Sequence, residues 1–167
     1  MSEVHSFGPV WAEDARVLIL GTAPSLASLE QGFNYAHPRN AFWPIMFDLL
    51  GEVPTESIDE KKRMLVRHRI ALWDVVHSCV RPGSLDGDIR QARANDVPGL
   101  IKKCPGLQIV LFNGGAALRL YKRLLPPLEL NWALMPSTSP SNTMRYEVKR
   151  AAWAAHIPPK ESHEENE

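Results

Sequence analysis

The stretch Arg16-Val17-Leu18-Ile19-Leu20-Gly21, which runs straight into Thr22-Ala23-Pro24-Ser25, joins a short apolar run to a polar, tight-turning loop. A run of this length bounded by turn residues has the pattern of a buried strand. Three further runs repeat it, Ile70 to Val76, Leu107 to Phe112 and Trp132 to Met135. Between them lie segments with helical spacing: Phe42 to Leu50, Ser57 to Val66, Pro98 to Lys103 and Ala116 to Leu125. A last helix is predicted from about Thr143 to Ala155, with Trp153 packed on the sheet. Strands that alternate with helices imply right-handed crossovers and a parallel sheet covered on both faces, so the expected fold class is α/β.

The chain has 167 residues, of which 44% are hydrophobic, enough for one domain with a proper core. Its apolar runs are far too short to span a membrane. The start, Met-Ser-Glu-Val-His-Ser, lacks the basic and apolar pattern of a secretory signal, which predicts a cytoplasmic protein. Cys79 and Cys104 cannot build a structural zinc or iron–sulfur site alone, and His77 lies too close to Cys79 for metal-ligand spacing, so neither metal nor cofactor is expected. With 19 basic and 19 acidic residues the formal charge is zero, which argues against holding nucleic acid mainly by a large basic surface. Residues 160–167, however, carry one lysine and four glutamates, leaving 18 basic against 15 acidic residues, about +3, for the body. A domain over residues 1–158 followed by a disordered acidic tail over 159–167 is expected. The chain is expected to act as a monomer without a membrane partner.

In open α/β sheets, ligands bind beyond the carboxyl ends of the strands. The segments found there are Gly21-Thr22-Ala23-Pro24-Ser25; Asp74 and then Ser78-Cys79-Val80-Arg81-Pro82-Gly83-Ser84; Asn113-Gly114-Gly115; and Pro136-Ser137-Thr138-Ser139-Pro140-Ser141-Asn142. These polar, tight-turning loops offer backbone N–H groups and hydroxyls to an anion, with phosphate a natural candidate.

The segment Gly32-Phe33-Asn34-Tyr35-Ala36-His37-Pro38-Arg39-Asn40-Ala41-Phe42-Trp43 resembles the first motif region of mismatch-specific uracil-DNA glycosylases. The resemblance is strongest to the hypoxanthine (deoxyinosine) DNA glycosylase branch of the uracil-DNA glycosylase superfamily. Gly-Thr-x-Pro-Ser, Asp74-Val75-Val76 with Arg81-Pro82-Gly83-Ser84-Leu85-Asp86, and Pro136-Ser137-Thr138-Ser139-Pro140 recur there in this order, over roughly Val17 to Tyr146. It implies a single-domain three-layer α/β/α sandwich with a central, mostly parallel four-stranded sheet. It also implies a monofunctional enzyme that extrudes a deaminated base from DNA and hydrolyses its N-glycosidic bond.

Several relatives carry Asp or Asn where this chain has Ala23, which can do no acid–base chemistry. The resemblance therefore moves the catalytic role to Asn40, whose amide would hold a water; capping of the helix near Phe42 is the alternative for that residue. Tyr35 matches the aromatic on which the extruded base stacks, at roughly 1–3 kcal/mol per base, unless it merely covers the core. Asp74 replaces the Asn that reads the base in uracil enzymes. Its acceptor-only carboxylate would bond the ring N–H of hypoxanthine or uracil and repel the bare ring nitrogen of adenine or cytosine. Backbone amides or Asn113 would donate to the neighbouring carbonyl, although Asn113 also reads as a turn residue before two glycines. Thr22 and Ala23 complete the candidate base pocket. Ser25, Arg81, Ser137, Ser139 and Asn142 are the candidate DNA contacts; Thr138 and Ser141 read equally as caps of the last helix. Arg145, Lys149 and Arg150 would extend the phosphate surface or simply be solvated. No lysine falls in the four loops, as a lyase reaction would need.

Hypoxanthine, uracil and xanthine all remain candidate bases. The alternatives are a mismatch-type uracil-DNA glycosylase and a damaged-DNA reader that lost its chemistry with Ala23. A hydrolase using Ser84 or Ser137 is disfavoured, because no Gly-x-Ser-x-Gly elbow is present.

Overall fold

A computed structural model describes residues 2–81 and 89–160. In chain order its elements are β1 (Ser2–His5), β2 (Val17–Gly21), α1 (Leu26–Gln31), α2 (Phe42–Leu50), α3 (Ile58–Arg67), β3 (Ile70–Asp74), β4 (Val76–Arg81), β5 (Arg90–Ala94), α4 (Val97–Lys103), β6 (Ile109–Asn113), α5 (Gly115–Leu124), β7 (Asn131–Met135) and α6 (Tyr146–Ala154). Pro82-Gly83-Ser84-Leu85-Asp86, singled out in the sequence, and residues 161–167 of the expected tail lie outside the described residues.

The parallel sheet has the order β3-β2-β6-β7, and each expected strand is present. Every residue of β2 is buried, because alternate side chains feed two cores. Val17 and Ile19 join Phe42, Ile45, Met46, Leu65 and Trp153 on the face of α2, α3 and α6. Leu18 and Leu20 join Val97, Leu100, Ala117 and Tyr121 on the face of α4 and α5. This is the three-layer α/β/α arrangement, with Trp153 fully buried as anticipated.

Three features differ from the sequence expectation. The run Ile70 to Val76 is not one strand. The chain leaves the parallel sheet at Asp74, Val75 and Val76 donate to the Gly21 and Thr22 carbonyls at 2.8 and 3.0 Å, and β4 departs into a separate antiparallel sheet of order β1-β4-β5. Ser78 to Arg81 therefore belong to a strand rather than a loop. A short α1, unforeseen, is capped by the Ser25 hydroxyl accepting from Ser28 N at 3.1 Å and ends at Gly32 with φ +81°. Finally, α6 starts at Tyr146 rather than Thr143, since the Asn142 side chain accepts from Met144 N at 3.1 Å and holds that stretch in a turn. Among the described residues, no helix is long and apolar enough to cross a membrane.

Candidate active site

Parallel register brings the carboxyl ends of β2, β3 and β6 together: Gly21 pairs with Asp74, and Leu20 with Phe112. A cavity of about 80 Å³ opens there, lined by residues 21–25, Ser28, Asn34, Tyr35, Asn40, Asp74, Asn113 and residues 137–139. Seven of the expected loop residues, Thr22, Ala23, Ser25, Asp74, Asn113, Ser137 and Ser139, thus meet with Tyr35 and Asn40 around one space. Arg81 and Asn142 do not line it.

Asp74 forms the floor and is only 2% exposed. Its Oδ2 accepts from Asn34 Nδ2 at 3.2 Å, and its backbone carbonyl from Asn95 Nδ2 at 2.7 Å. Asn34 is itself 5% exposed, and its backbone carbonyl accepts from Trp43 Nε1 at 2.9 Å. A Cβ at Gly21 would fall on the Tyr35 hydroxyl and 2.6 Å from Asp74 Oδ1, so only glycine allows both side chains to come this close. Tyr35 is half-buried, stacks on Phe42 at 4.3 Å between centroids, and holds the left-handed backbone conformation with φ +58°. That conformation is an outlier for a bulky residue and is sustained by its surroundings.

Asn40 Oδ1 accepts from Phe42 N at 2.9 Å, a local turn that satisfies the first amide of α2, whereas the N-cap position itself is Ala41 and makes no side-chain cap. A carbonyl oxygen has two lone pairs, and the amide nitrogen adds two donors. Nδ2 makes no hydrogen bond among the described residues, which leaves Asn40 with both an acceptor and a donor for a ligand at the cavity wall. Asn113 is more engaged: Nδ2 donates to Thr138 Oγ1 and Oδ1 accepts from Thr138 N, each at 3.0 Å. Thr138, 1% exposed, also accepts from Ala41 N at 2.9 Å through its carbonyl. It therefore ties β6, the 136–142 loop and the start of α2 together and does not cap α6; nor does Ser141, whose hydroxyl pairs with Ser139 at 2.9 Å.

Ser137 Oγ accepts from Ser139 N and Ser139 Oγ from Ser141 N, both at 3.2 Å. In accepting, the Ser137 hydroxyl keeps its own hydrogen for an anion. Asn142 shapes the loop, donating to the Ser137 carbonyl at 3.0 Å. Behind it, Lys149 is buried and donates to the Ser139 carbonyl at 3.2 Å; desolvation holds its ammonium below the ordinary lysine value. Arg150 pairs with Asp48, and Arg145 is exposed with Glu147 at 4.0 Å.

Arg81 departs from its expected place at the DNA. It is 2% exposed and its guanidinium donates to the Pro24 carbonyl, supporting the first loop from within the protein. Ser25 is occupied with Ser28, both as helix cap and by hydroxyl contact at 3.2 Å. Thr22 is buried, and Ala23 packs on the core beneath α5 while facing the cavity. Sequence reasoning missed Asn34, Ser28 and the linking role of Thr138. Two of these stand inside quoted motifs, but their partners are 40 and 25 residues away.

A wider groove of about 740 Å³ lies on the other side of Tyr35 and Asn40, walled by Trp43, Pro44 and Phe47. Of its acidic residues, Asp48 is paired with Arg150 and Glu52 with His68 and Arg67, while Glu56 stands at the exposed rim.

The sequence profile of the uracil DNA glycosylase superfamily matches residues 9–157. Two curated proteins named hypoxanthine DNA glycosylase are similar over 152 residues, 90% of this chain. The one from Methanosarcina acetivorans is 34% identical over 96% of its length, and the one from Methanosarcina barkeri 32% over 95%. A solution NMR structure from Methanosarcina acetivorans, given as a candidate uracil DNA glycosylase, aligns with a TM-score of 0.79 and 33% identity over 92% of this chain and 96% of that one.

Proposed function

Since this chain belongs to the uracil DNA glycosylase superfamily, we propose that it draws a deaminated base out of DNA into the Asp74 cavity, with hypoxanthine the preferred base and uracil and xanthine as further substrates. The chain is a DNA glycosylase, a hydrolase acting on deaminated bases. The observation that carries the reading of a deaminated base is Asp74, a buried acceptor at the cavity floor whose Oδ2 is already oriented by Asn34; the preference for hypoxanthine rests on the similarity to the two hypoxanthine DNA glycosylases. Deamination of adenine converts a bare ring nitrogen into an N–H beside a carbonyl, and a carboxylate bonds the N–H while opposing a lone pair.

Extrusion costs a few kcal/mol of stacking and pairing, less at a mismatch. Tyr35 offsets part of it by stacking, and Ser137 and Ser139 bind the phosphates flanking the lesion. As the C1′–N bond lengthens, its electron pair leaves with the base and the sugar takes on oxocarbenium character. A water hydrogen-bonded to the Asn40 amide then adds to C1′, loses its proton, and an abasic site remains. Asn40 does no proton transfer itself; it positions the nucleophile, the kind of contribution that proximity and orientation supply. Ala23 contributes no polar group to this step. The reaction is monofunctional, and the protein works as a cytoplasmic monomer.

The test is Asn40→Ala. Release of hypoxanthine from an inosine-containing duplex should fall by orders of magnitude while DNA affinity stays nearly intact; undiminished release would remove Asn40 from the chemistry.

A further inference from the structure

We infer that Asn34 is the second half of the base-reading element and a specificity-determining residue: its amide donates to the carbonyl that sits beside the ring N–H of a deaminated base. The inference rests on the assignment of Asp74 as acceptor for that N–H. Asn34 lines the same cavity as Asp74 and is 5% exposed; Trp43 Nε1 donates to its backbone carbonyl at 2.9 Å, which fixes the main chain that carries the amide, and burial with the bond to Asp74 holds the amide itself. An amide nitrogen carries two hydrogens. One goes to Asp74 Oδ2 at 3.2 Å, and the other remains for a ligand. Acceptor and donor are therefore direct neighbours, in the order that matches N1–H and C6=O of hypoxanthine or N3–H and C4=O of uracil.

The same pair rejects the undamaged bases twice. Adenine would set its ring lone pair against the carboxylate and its exocyclic amino group against the Asn34 amino group, two donors facing each other. Asn113, another amide in the cavity, is a weaker candidate: one Nδ2 hydrogen is spent on Thr138 Oγ1 and its Oδ1 accepts from Thr138 N, which holds it to the 136–142 loop, and it makes no hydrogen bond to Asp74 among the described residues. Asn34 also acts on the leaving group, since electron density arriving on the departing purine spreads onto O6, where a preorganised donor binds more strongly in the transition state than before it.

A substrate-by-variant comparison tests this. Single-turnover base release is measured from duplexes carrying 2′-deoxyinosine or 2′-deoxy-6-thioinosine, which keeps N1–H but offers a poor acceptor at position 6. Asn34→Leu should reduce release from inosine about tenfold, the order of one lost hydrogen bond, and reduce release from the thio analogue much less. Asn34→Ser, which keeps a donor, should retain part of the preference. Equal losses on both substrates mean that Asn34 is only a structural support and overturn the inference. A wild-type protein that does not distinguish the two substrates in single-turnover rate overturns it as well, whether or not the variants fold. Release of neither base by the wild type sinks the glycosylase reading, and this one with it.

Discussion

Gly21→Ala adds one methyl group at the point where the cavity is tightest. The added Cβ would lie 2.6 Å from Asp74 Oδ1 and closer still to the Tyr35 hydroxyl, whereas ordinary contact begins near 3.4 Å. The carboxylate must therefore retreat by about 0.8 Å, and the tyrosine by more. Neither has room to do so cheaply, since Asp74 is buried and bonded to Asn34 while Tyr35 is stacked on Phe42. Overpacking of this kind costs about 1–3 kcal/mol of stability. For catalysis the displacement matters more, because a shift of about 1 Å in positioning groups lowers rates by roughly 100-fold. The assay is single-turnover release of hypoxanthine from an inosine-containing duplex, with thermal unfolding followed in parallel. Gly8→Ala is the control: a Cβ there meets nothing within 4 Å, and it should leave both readouts unchanged. Gly21→Ala activity within about twofold of wild type would refute the placement of Tyr35 and Asp74 as joint walls of the base site.

Thr138→Val keeps the shape of the side chain but leaves the buried Asn113 amide without its hydroxyl partner. It should destabilise the protein by about 1–3 kcal/mol, read as a fall of roughly 3–10 °C in Tm, and Thr138→Ser should restore most of it; a valine variant as stable as wild type would contradict the linking role. Stability should also weaken in acid through Glu52, whose carboxyl is held below its usual value of 4.5 by hydrogen bonds from His68 and Arg67. A carboxylate lowered by folding stabilises above its unfolded pKa and loses that contribution as pH falls through the lower folded value. Glu52→Gln should flatten the acid limb of Tm against pH, and an unchanged limb would dismiss the effect.

The four parallel strands were legible because each is a run of mostly apolar residues ending in turn residues; burial on both faces of β2, β3 and β6 erases any alternation that could confuse them with surface strands, while β7, with Trp132 and Leu134 exposed, is an edge strand. The antiparallel sheet was not. β5 reads Arg90-Gln91-Ala92-Arg93-Ala94, poor in β-formers, and is a strand because β4 pairs with it. The switch at Val75 was hidden for a related reason: Ile70 to Val76 is continuous in hydrophobicity, and only hydrogen bonds to Gly21 and Thr22 divide it. In the site, strand ends pointed to the correct loops, yet residue type alone could not rank the amides. Asn113, read as either a donor or a turn residue, bonds Thr138; Asn34 stood unremarked in the quoted motif and is the one bonded to Asp74. Arg81 was misplaced because a single arginine after an apolar strand gives no hint of which way it turns, and here it turns inward to Pro24.

The central claim is hydrolytic release of a deaminated base, and the direct measurement is the identity of the free base liberated from oligonucleotides bearing inosine, uracil or xanthine, single- and double-stranded, with alkali-labile sites scored alongside. The account predicts free hypoxanthine and an abasic site from inosine-containing DNA, with none from the corresponding adenine strand. Tight binding to the inosine-containing DNA with no base released would contradict it.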